Sequence, residues 1–178
     1  MSEVAATDES TIDLASQGAA EQYLTFILAG EEYGVDILRV QEIKGWDDVT
    51  PIPNTPDYVK GVINLRGAII PIVDLRQRFG MSELEYGPTT VMIILKVQSD
   101  ERERIMGVVV DAVSEVYNIN GAELQPPPEF GGVIKTEFLR GLASVEDKMI
   151  IVLDIDHLLN ASEMQLLSAA ASQNNQES

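Results

Sequence analysis

Short apolar runs separated by turn signals recur along the middle of this chain and predict β structure. The run 23–28 precedes the turn Gly30-Glu31-Glu32, and the runs 62–65 and 68–73 flank Arg66-Gly67, a pair typical of a tight hairpin. Strands this short, spaced by turns, favour small antiparallel barrels. The predicted strands are 23–28, 62–65, 68–73, 89–97, 105–110 and 149–153.

Alternation within these runs predicts which side chains are buried. In strands, side chains point alternately to the two faces, so residues two apart share a face. We therefore assign Val108 and Val110, and likewise Ile150 and Val152, to barrel interiors.

The two ends of the chain have a different composition. Residues 1–21 hold five acidic residues and no basic one, and we interpret them as a disordered tail. Near the other end, Ser162 followed by Gln165 is a capping pattern, which predicts a short C-terminal helix over 160–171. Residues 172–178 are polar and are expected to fray.

An internal repeat is the most informative feature of the sequence. Three matches occur in the same order, so chance is a poor explanation. They predict two similar β units, about 22–80 and 89–159, an arrangement that leaves room for strands to be exchanged between them. Two units this small are expected to share apolar surface. The matched segments are 34–43 with 107–116, 65–67 with 139–141, and 72–75 with 152–155.

Composition and charge exclude several classes of function. The 178 residues carry a net charge of −17, from 29 acidic and 12 basic residues, which disfavours binding to nucleic acid or to an anionic membrane surface. No apolar run approaches the roughly 18 residues of a membrane span, and the beginning of the chain lacks the pattern of a signal peptide. We therefore expect a cytoplasmic protein that does not insert into the membrane.

Candidate catalytic and metal-binding groups are weak. The chain has no Cys and a single His, His157, so thiol chemistry and multi-His metal sites are excluded. Asp154-Ile155-Asp156-His157 resembles a metal-site fragment, but helix capping by Asp154 or Asp156 explains it better. Nucleotide-binding loops are absent. We expect no enzymatic activity, no cofactor and no metal.

A repeated Arg and a repeated Glu suggest an ion pair used twice. Arg66 and Arg140 each stand between Leu and Gly, and Glu42 matches Glu115 in the repeat. We predict that Glu42 meets Arg66, either to hold the fold or also to line a partner surface. Trp46, the only Trp, is either a surface anchor or a cap on the core.

With these residues in view, the chain resembles the CheW family of bacterial chemotaxis coupling proteins, from about Gln22 to about Ala171. At 178 residues the chain has no room for kinase or receiver modules, which favours the stand-alone adaptor. The stretches that carry the resemblance are 32–43, Thr55-Pro56, 60–67, 71–76 and 107–111.

The resemblance implies a mainly β fold of two five-stranded, SH3-like barrels on a common apolar core. It implies a non-catalytic adaptor that couples the cytoplasmic tips of methyl-accepting chemoreceptors to the regulatory domain of the histidine kinase CheA in signalling arrays. Phe130 resembles a position at the contact with the kinase in arrays. The residues that match the family's receptor-facing groove are Val40, Glu42, Arg66, Val91, Val113 and Val116.

Two alternatives remain open at this point. One is a scaffold of the same family in a non-flagellar array pathway. The other is a β-barrel sensor for a small ligand, which small barrels filled by their own side chains disfavour.

Overall fold

A computed structural model describes residues 21–81, 85–98, 102–126 and 136–160. This part of the chain contains ten strands and two short α-helices, so the predicted mainly β fold is confirmed. The elements are β1 (Glu21–Leu28), β2 (Glu31–Asp36), β3 (Val40–Gly45), β4 (Val59–Leu65), β5 (Ala68–Asp74), α1 (Leu75–Arg78), β6 (Val91–Gln98), β7 (Glu103–Val110), β8 (Ala112–Ile119), β9 (Leu139–Val145), β10 (Lys148–Leu153) and α2 (Ile155–Leu159).

Several sequence predictions concern the ends of the chain. Glu21 belongs to β1 and not to the predicted tail. Residues 1–20 of that tail, the predicted helix beyond residue 160, and Phe130 lie outside the described residues. The last described helix is α2, which ends at Leu159, before the predicted helix.

The strands form two five-stranded sheets. The first sheet has the order β8-β1-β2-β10-β9, and the second has the order β3-β6-β7-β5-β4. Each sheet therefore takes a two-stranded hairpin from one half of the chain and three strands from the other half. The contiguous units 22–80 and 89–159 do not coincide with the sheets, because the hairpins β1–β2 and β6–β7 have exchanged places.

Parallel pairing of strands repeats between the two sheets. In the first sheet Gly34 of β2 lies opposite Val152 of β10, and in the second Gly107 of β7 lies opposite Ile72 of β5. The matches of 34–43 with 107–116 and of 72–75 with 152–155 thus occupy equivalent places.

The middle match of the repeat is wrong. Leu139-Arg140-Gly141 begins β9, whereas Leu65-Arg66-Gly67 ends β4 and enters the turn. Gly141 lies opposite Val152 as Gly61 lies opposite Ile72, so the counterpart of Gly141 is Gly61. Arg140 therefore corresponds to Lys60 and not to Arg66.

Gly61 and Gly141 also share a physical requirement. A Cβ at Gly61 would lie 2.1 Å from the carbonyl oxygen of Thr50, and one at Gly141 would lie 2.8 Å from that of Gln125. A side-chain carbon cannot come that close to backbone. Glycine at both places therefore leaves room for a neighbouring backbone segment, which forms the bridge Thr50–Val62 beside Gly61 and the bridge Gln125–Leu142 beside Gly141.

Apolar side chains form three clusters. The largest, which we call the shared core, combines residues of both sheets, such as Phe26 and Tyr33 with Ile93 and Val108, so the predicted common core is confirmed. A first interior cluster lies within the first sheet and contains Tyr23, Tyr117, Ile119, Ala143, Ile150 and Val152. A second interior cluster lies within the second sheet and contains Leu65, Ile70, Ile72, Met92, Ile94 and Val109.

The assignment of the alternating valines is partly corrected by these clusters. Ile150 and Val152 belong to the first interior cluster, as predicted. Val108 and Val110 are buried, but in the shared core, and Val109 between them faces the second interior cluster. Because β7 is buried on both faces, its sequence does not show which face meets which core.

Candidate docking surface

The predicted contact between Glu42 and Arg66 is present. An Nη2 atom of Arg66 lies 2.9 Å from Oε1 of Glu42. Glu42 lies on β3 and Arg66 in the turn after β4, so the pair joins the two outer strands of the second sheet. The Arg66 side chain is 71% exposed and that of Glu42 only 24%. A shielded carboxylate thus holds a guanidinium whose other donors face solvent.

The turn that carries Arg66 has a defined shape. Arg66 has φ +52° and Gly67 has φ +91°, and two consecutive residues with positive φ are typical of a type I′ hairpin turn. The side-chain oxygen of Asn64 accepts a hydrogen bond from the Gly67 amide at 2.9 Å. The backbone and its local hydrogen bond therefore orient Arg66 before any partner arrives.

The four valines of the predicted groove fall into two groups. Val40, Val91 and Val113 are partly buried and pack against the shared core. Val116, on the outer strand β8, is 48% exposed. The structure thus brings Glu42 into contact with Arg66, and it packs three of the valines against the shared core. The side chain of Val116 is instead exposed to solvent.

Sequence reasoning missed Ile43 as a surface candidate. Ile43 is 43% exposed on the outer strand β3, and it is the repeat counterpart of Val116. The repeat alignment placed these two residues opposite each other, so that signal could have found Ile43. Each sheet therefore exposes one apolar side chain at the same place on an outer strand.

The second copy of the ion pair does not form, which corrects the prediction that it is used twice. Arg140 instead lies 3.8 Å from the carboxylate of Glu21 on β1. Interaction with the Glu115 side chain raises the pKa of Tyr117. The reason is the corrected alignment: Arg140 occupies the place of Lys60, at the start of a strand instead of in a hairpin turn.

The carboxylates near His157 have structural roles. Asp154 caps α2 by accepting a hydrogen bond from the His157 amide at 3.1 Å, as predicted, and its other oxygen lies 2.7 Å from Nδ1 of His157. This contact raises the pKa of His157. Asp156 instead binds Arg39. Within the described residues no group of three or more potential ligands could hold a metal ion.

Trp46 caps the second interior cluster. Its ring packs against that cluster and lies 4.3 Å from the ring of Tyr86, measured between centroids. Tyr86 in turn donates a hydrogen bond to Asp74, the N-cap of α1. Of the two readings of Trp46, the structure supports the cap.

A small depression lies at the ends of β2 and β10. It has a volume of about 300 Å³ and is lined mainly by charged residues, among them Asp36, Arg39 and Arg140. The two interior clusters consist of buried side chains. No helix in the described part of the chain is long and apolar enough to cross a membrane.

Comparison with known proteins agrees with this architecture. The family model described as the CheW-like domain matches residues 22–163. The chain is 45% identical to the chemotaxis protein CheW of Klebsiella aerogenes over 158 residues, which cover 89% of this chain and 93% of that protein. It is 30% identical to the protein FrzA of Myxococcus xanthus over 158 residues, which cover 87% of this chain and 96% of that protein.

A solved structure shows the same fold. The crystal structure of the scaffolding protein TtCheW from Thermoanaerobacter tengcongensis matches with a TM-score of 0.72 and 37% identity, over 81% of this chain and 90% of that one. The family match and these relatives thus define the class of protein, which is a non-catalytic scaffold of chemotaxis signalling. The chain belongs to the CheW family.

Proposed function

We propose that this protein couples the cytoplasmic tips of methyl-accepting chemoreceptors to the histidine kinase CheA. The observation that carries the proposal is the Glu42–Arg66 pair, in which a shielded carboxylate holds an exposed guanidinium at 2.9 Å. Such a fork is preorganised, so little conformational entropy is lost when a polar partner binds it. The family to which the chain belongs supports the choice of partners.

The receptor-facing surface in this proposal comprises Val40, Glu42, Arg66, Val91, Val113 and Val116. Exposed Val116 supplies apolar area for a partner, and Ile43 adds a second apolar side chain on β3. A polar fork together with apolar side chains suits an amphipathic helix, whose apolar stripe would meet the valines. Phe130 is proposed as the kinase contact on the resemblance alone.

The protein supplies surfaces and no chemistry in this scheme. We place it in the cytoplasm, at membrane-associated arrays reached through its partners, without inserting into the membrane itself. It needs no cofactor and contacts no nucleic acid, in line with its net charge of −17. The same coupling would serve a non-flagellar array. The small-ligand sensor is disfavoured because small barrels are normally filled by their own side chains, and both sheets bury an apolar cluster.

Reconstitution tests the proposal directly. A receptor signalling fragment, a CheA-type kinase and ATP are mixed with and without the protein, and kinase phosphorylation is measured. We expect phosphorylation to depend on the protein and on the receptor fragment together. An unchanged rate would contradict the coupling function.

A matched pair of variants locates the surface. Val116→Glu places a charge on the proposed surface, whereas Met149→Glu places one at another apolar side chain, 55% exposed, on β10. Because both positions are exposed, neither change should unfold the protein. We expect Val116→Glu to abolish receptor-dependent phosphorylation and Met149→Glu to preserve it. Equal effects would remove Val116 from the site.

A further inference from the structure

Several ion pairs join the first half of the chain, which runs up to α1, to the second half, which begins with β6. Two of them lie where the chain passes from one sheet to the other. In what we call the first clasp, Arg39 binds Asp156 with two hydrogen bonds of 2.9 and 2.7 Å. In the second clasp, Arg76 binds Asp111 at 2.8 Å. The side chains of both clasps are largely shielded from solvent, with exposures from 12% to 30%.

Each clasp lies where parallel strands from the two halves end side by side. β2 leads to Arg39 and its parallel neighbour β10 leads to Asp156. β7 leads to Asp111 and its parallel neighbour β5 leads to Arg76. Arg39 and Asp111 occupy the short links in which the chain passes from one sheet to the other. The clasps therefore hold in place both links through which the chain passes between the sheets.

A third contact shows that the clasps are equivalent. The amide of Gln98, at the end of β6, donates a 2.8 Å hydrogen bond to Asp156. The amide of Ala29, just after β1, donates a 2.9 Å hydrogen bond to Asp111. β1 and β6 occupy the same place in their sheets. In both clasps the carboxylate thus binds one Arg and a backbone amide at the end of the first strand of a hairpin. The acidic residue lies in α2 in the first clasp and in the link between β7 and β8 in the second.

Because the acidic residue lies in the helix in one clasp and in the link in the other, each half of the chain contributes clasp residues of one charge only. The first half carries Arg39 and Arg76, and the second half carries Asp111 and Asp156. If each hairpin stayed with its own half, β2 would end beside β5, and β7 would end beside β10. Arg39 would then face Arg76, and Asp111 would face Asp156, so like charges would meet at both places. The exchanged arrangement pairs all four charges.

We propose that the sign pattern of the two clasps selects the exchanged arrangement over one in which each half folds on itself. Apolar patterning discriminates poorly between the two, because the repeat gives both hairpins similar strands and a central Gly at equivalent places, Gly34 and Gly107. Charge repulsion in the wrong arrangement supplies the missing discrimination. The clasps thereby determine which hairpin, β1–β2 or β6–β7, completes the sheet that contains β3, β4 and β5.

The proposal is tested by a variant in which both clasps remain oppositely charged pairs, but each half of the chain contributes one acidic and one basic residue. The triple change Leu38→Asp, Arg39→Ala and Asp156→Arg copies the second clasp onto the first, because Leu38 and Arg39 match Asp111 and Ala112 in the repeat. Native pairing stays complementary in sign. Each half then carries one acid and one base, so folding on itself is no longer opposed.

Engineered cysteines report the arrangement, since the chain has none of its own. Gln22 on β1 lies opposite Asn118 on β8. Cα atoms of opposed antiparallel residues lie about 4.5–5.5 Å apart, a distance that a disulfide can span. Gln22→Cys with Asn118→Cys therefore cross-links only the exchanged form. Gln22→Cys with Gly45→Cys, the repeat counterpart of the second site, reports the form in which β1 pairs with β3.

The full chain is unfolded in denaturant, refolded and oxidised. We expect the wild-type charges to give the 22–118 cross-link, and the triple variant to lose at least about half of it to the 22–45 cross-link or to links between molecules. Adding Asp111→Leu, Ala112→Arg and Arg76→Asp segregates the signs again and should restore the wild-type yield. An unchanged yield in the triple variant would overturn the proposal. Equally low yields with three and six changes would also overturn it, since local damage would then explain the loss.

Discussion

At the scale of single residues, the Glu42–Arg66 pair separates stability from recognition. An ion pair in which one member is exposed to solvent contributes little to folding, typically under about 1 kcal/mol. Loss of one member of a desolvated, hydrogen-bonded pair at an interface costs about 2–5 kcal/mol, because the other charge remains unpaired. Arg66 is 71% exposed in the free protein, so its energetic importance should appear only when a partner covers it.

We therefore expect Arg66→Ala to weaken receptor-fragment binding by about 30-fold or more, which corresponds to 2 kcal/mol. The same variant should lower the free energy of unfolding by less than about 1 kcal/mol. Urea unfolding and binding are measured on one preparation. Arg140→Ala, which changes the other Arg of a Leu-Arg-Gly segment, is the control and should bind normally. A stability loss that accounts for all of the lost binding would make Arg66 a structural residue.

His157 offers a second test at this scale, because it is the only histidine. The Asp154 carboxylate raises the pKa of His157 above its usual 6.5. A raised pKa in the folded state means that this contact stabilises the protein fully below pH 6.5. The stabilisation is then lost as the pH rises through the folded-state pKa.

NMR titration of the His157 ring should give a midpoint above 6.5. Asp154→Asn should bring the midpoint down towards the usual value, while Asn still caps α2. A midpoint at or below the usual value in the wild-type protein would show that the contact with Asp154 does not form in solution.

At the scale of elements, β10 and β7 each contact two apolar clusters, but they differ in solvent exposure. β10 places Ile150 and Val152 in the first interior cluster and Leu153 in the shared core, while Met149, near the start of the strand, is 55% exposed. β7 meets the shared core with Val108 and Val110 and the second interior cluster with Val109. Burial alternates clearly only where one face of a strand is solvated.

Ile150→Ala is expected to lower the free energy of unfolding by about 1–4 kcal/mol, through lost burial and a cavity. Met149→Ala, one residue earlier, is the matched control and should change it by less than about 0.5 kcal/mol, because the side chain is exposed. Chemical unfolding midpoints measure both. Equal shifts for the two variants would mean that the register of β10 is wrong.

At the scale of the whole molecule, the shared core makes the two sheets one folding unit. The Phe26 and Tyr33 rings of the first sheet stack with centroids 6.0 Å apart, and Tyr33 stacks in turn on Phe79 after α1, at 6.1 Å. Burial raises the pKa of Tyr33 to about 12, so its hydroxyl stays neutral at any physiological pH. Because the core takes side chains from both halves, we expect neither half to be stable alone.

Deletion of residues 1–18 tests whether anything beyond the described strands supports this unit. The segment is acidic and polar, with only scattered apolar residues, and should bury little surface. We expect the melting temperature to stay within about 2 °C of the full-length value, as for a change of a few tenths of a kcal/mol. A large drop would show that the acidic segment packs on the sheets.

The sequence alone was sufficient for the features that local patterns encode. It predicted six of the ten strands in the described residues, the turn at Arg66-Gly67, a helix cap by Asp154 or Asp156, the repeat of 34–43 in 107–116, and the contact of Glu42 with Arg66. Each of these depends on residues close in sequence or on repeat positions, where propensity, φ angles and charge act directly.

Only the tertiary structure decided which half of the chain supplies each hairpin, which core receives Val108, and which residue corresponds to Arg140. The sequence of a buried strand does not show which strand it pairs with, because the apolar pattern indicates burial and not the identity of the neighbour. The Leu-Arg-Gly match was wrong for a similar reason. The same three residues begin strand β9 in the second half, whereas in the first half they end β4 and enter a turn. What separates these places is the backbone approach at Gly61 and Gly141, which exists only once the strands have paired.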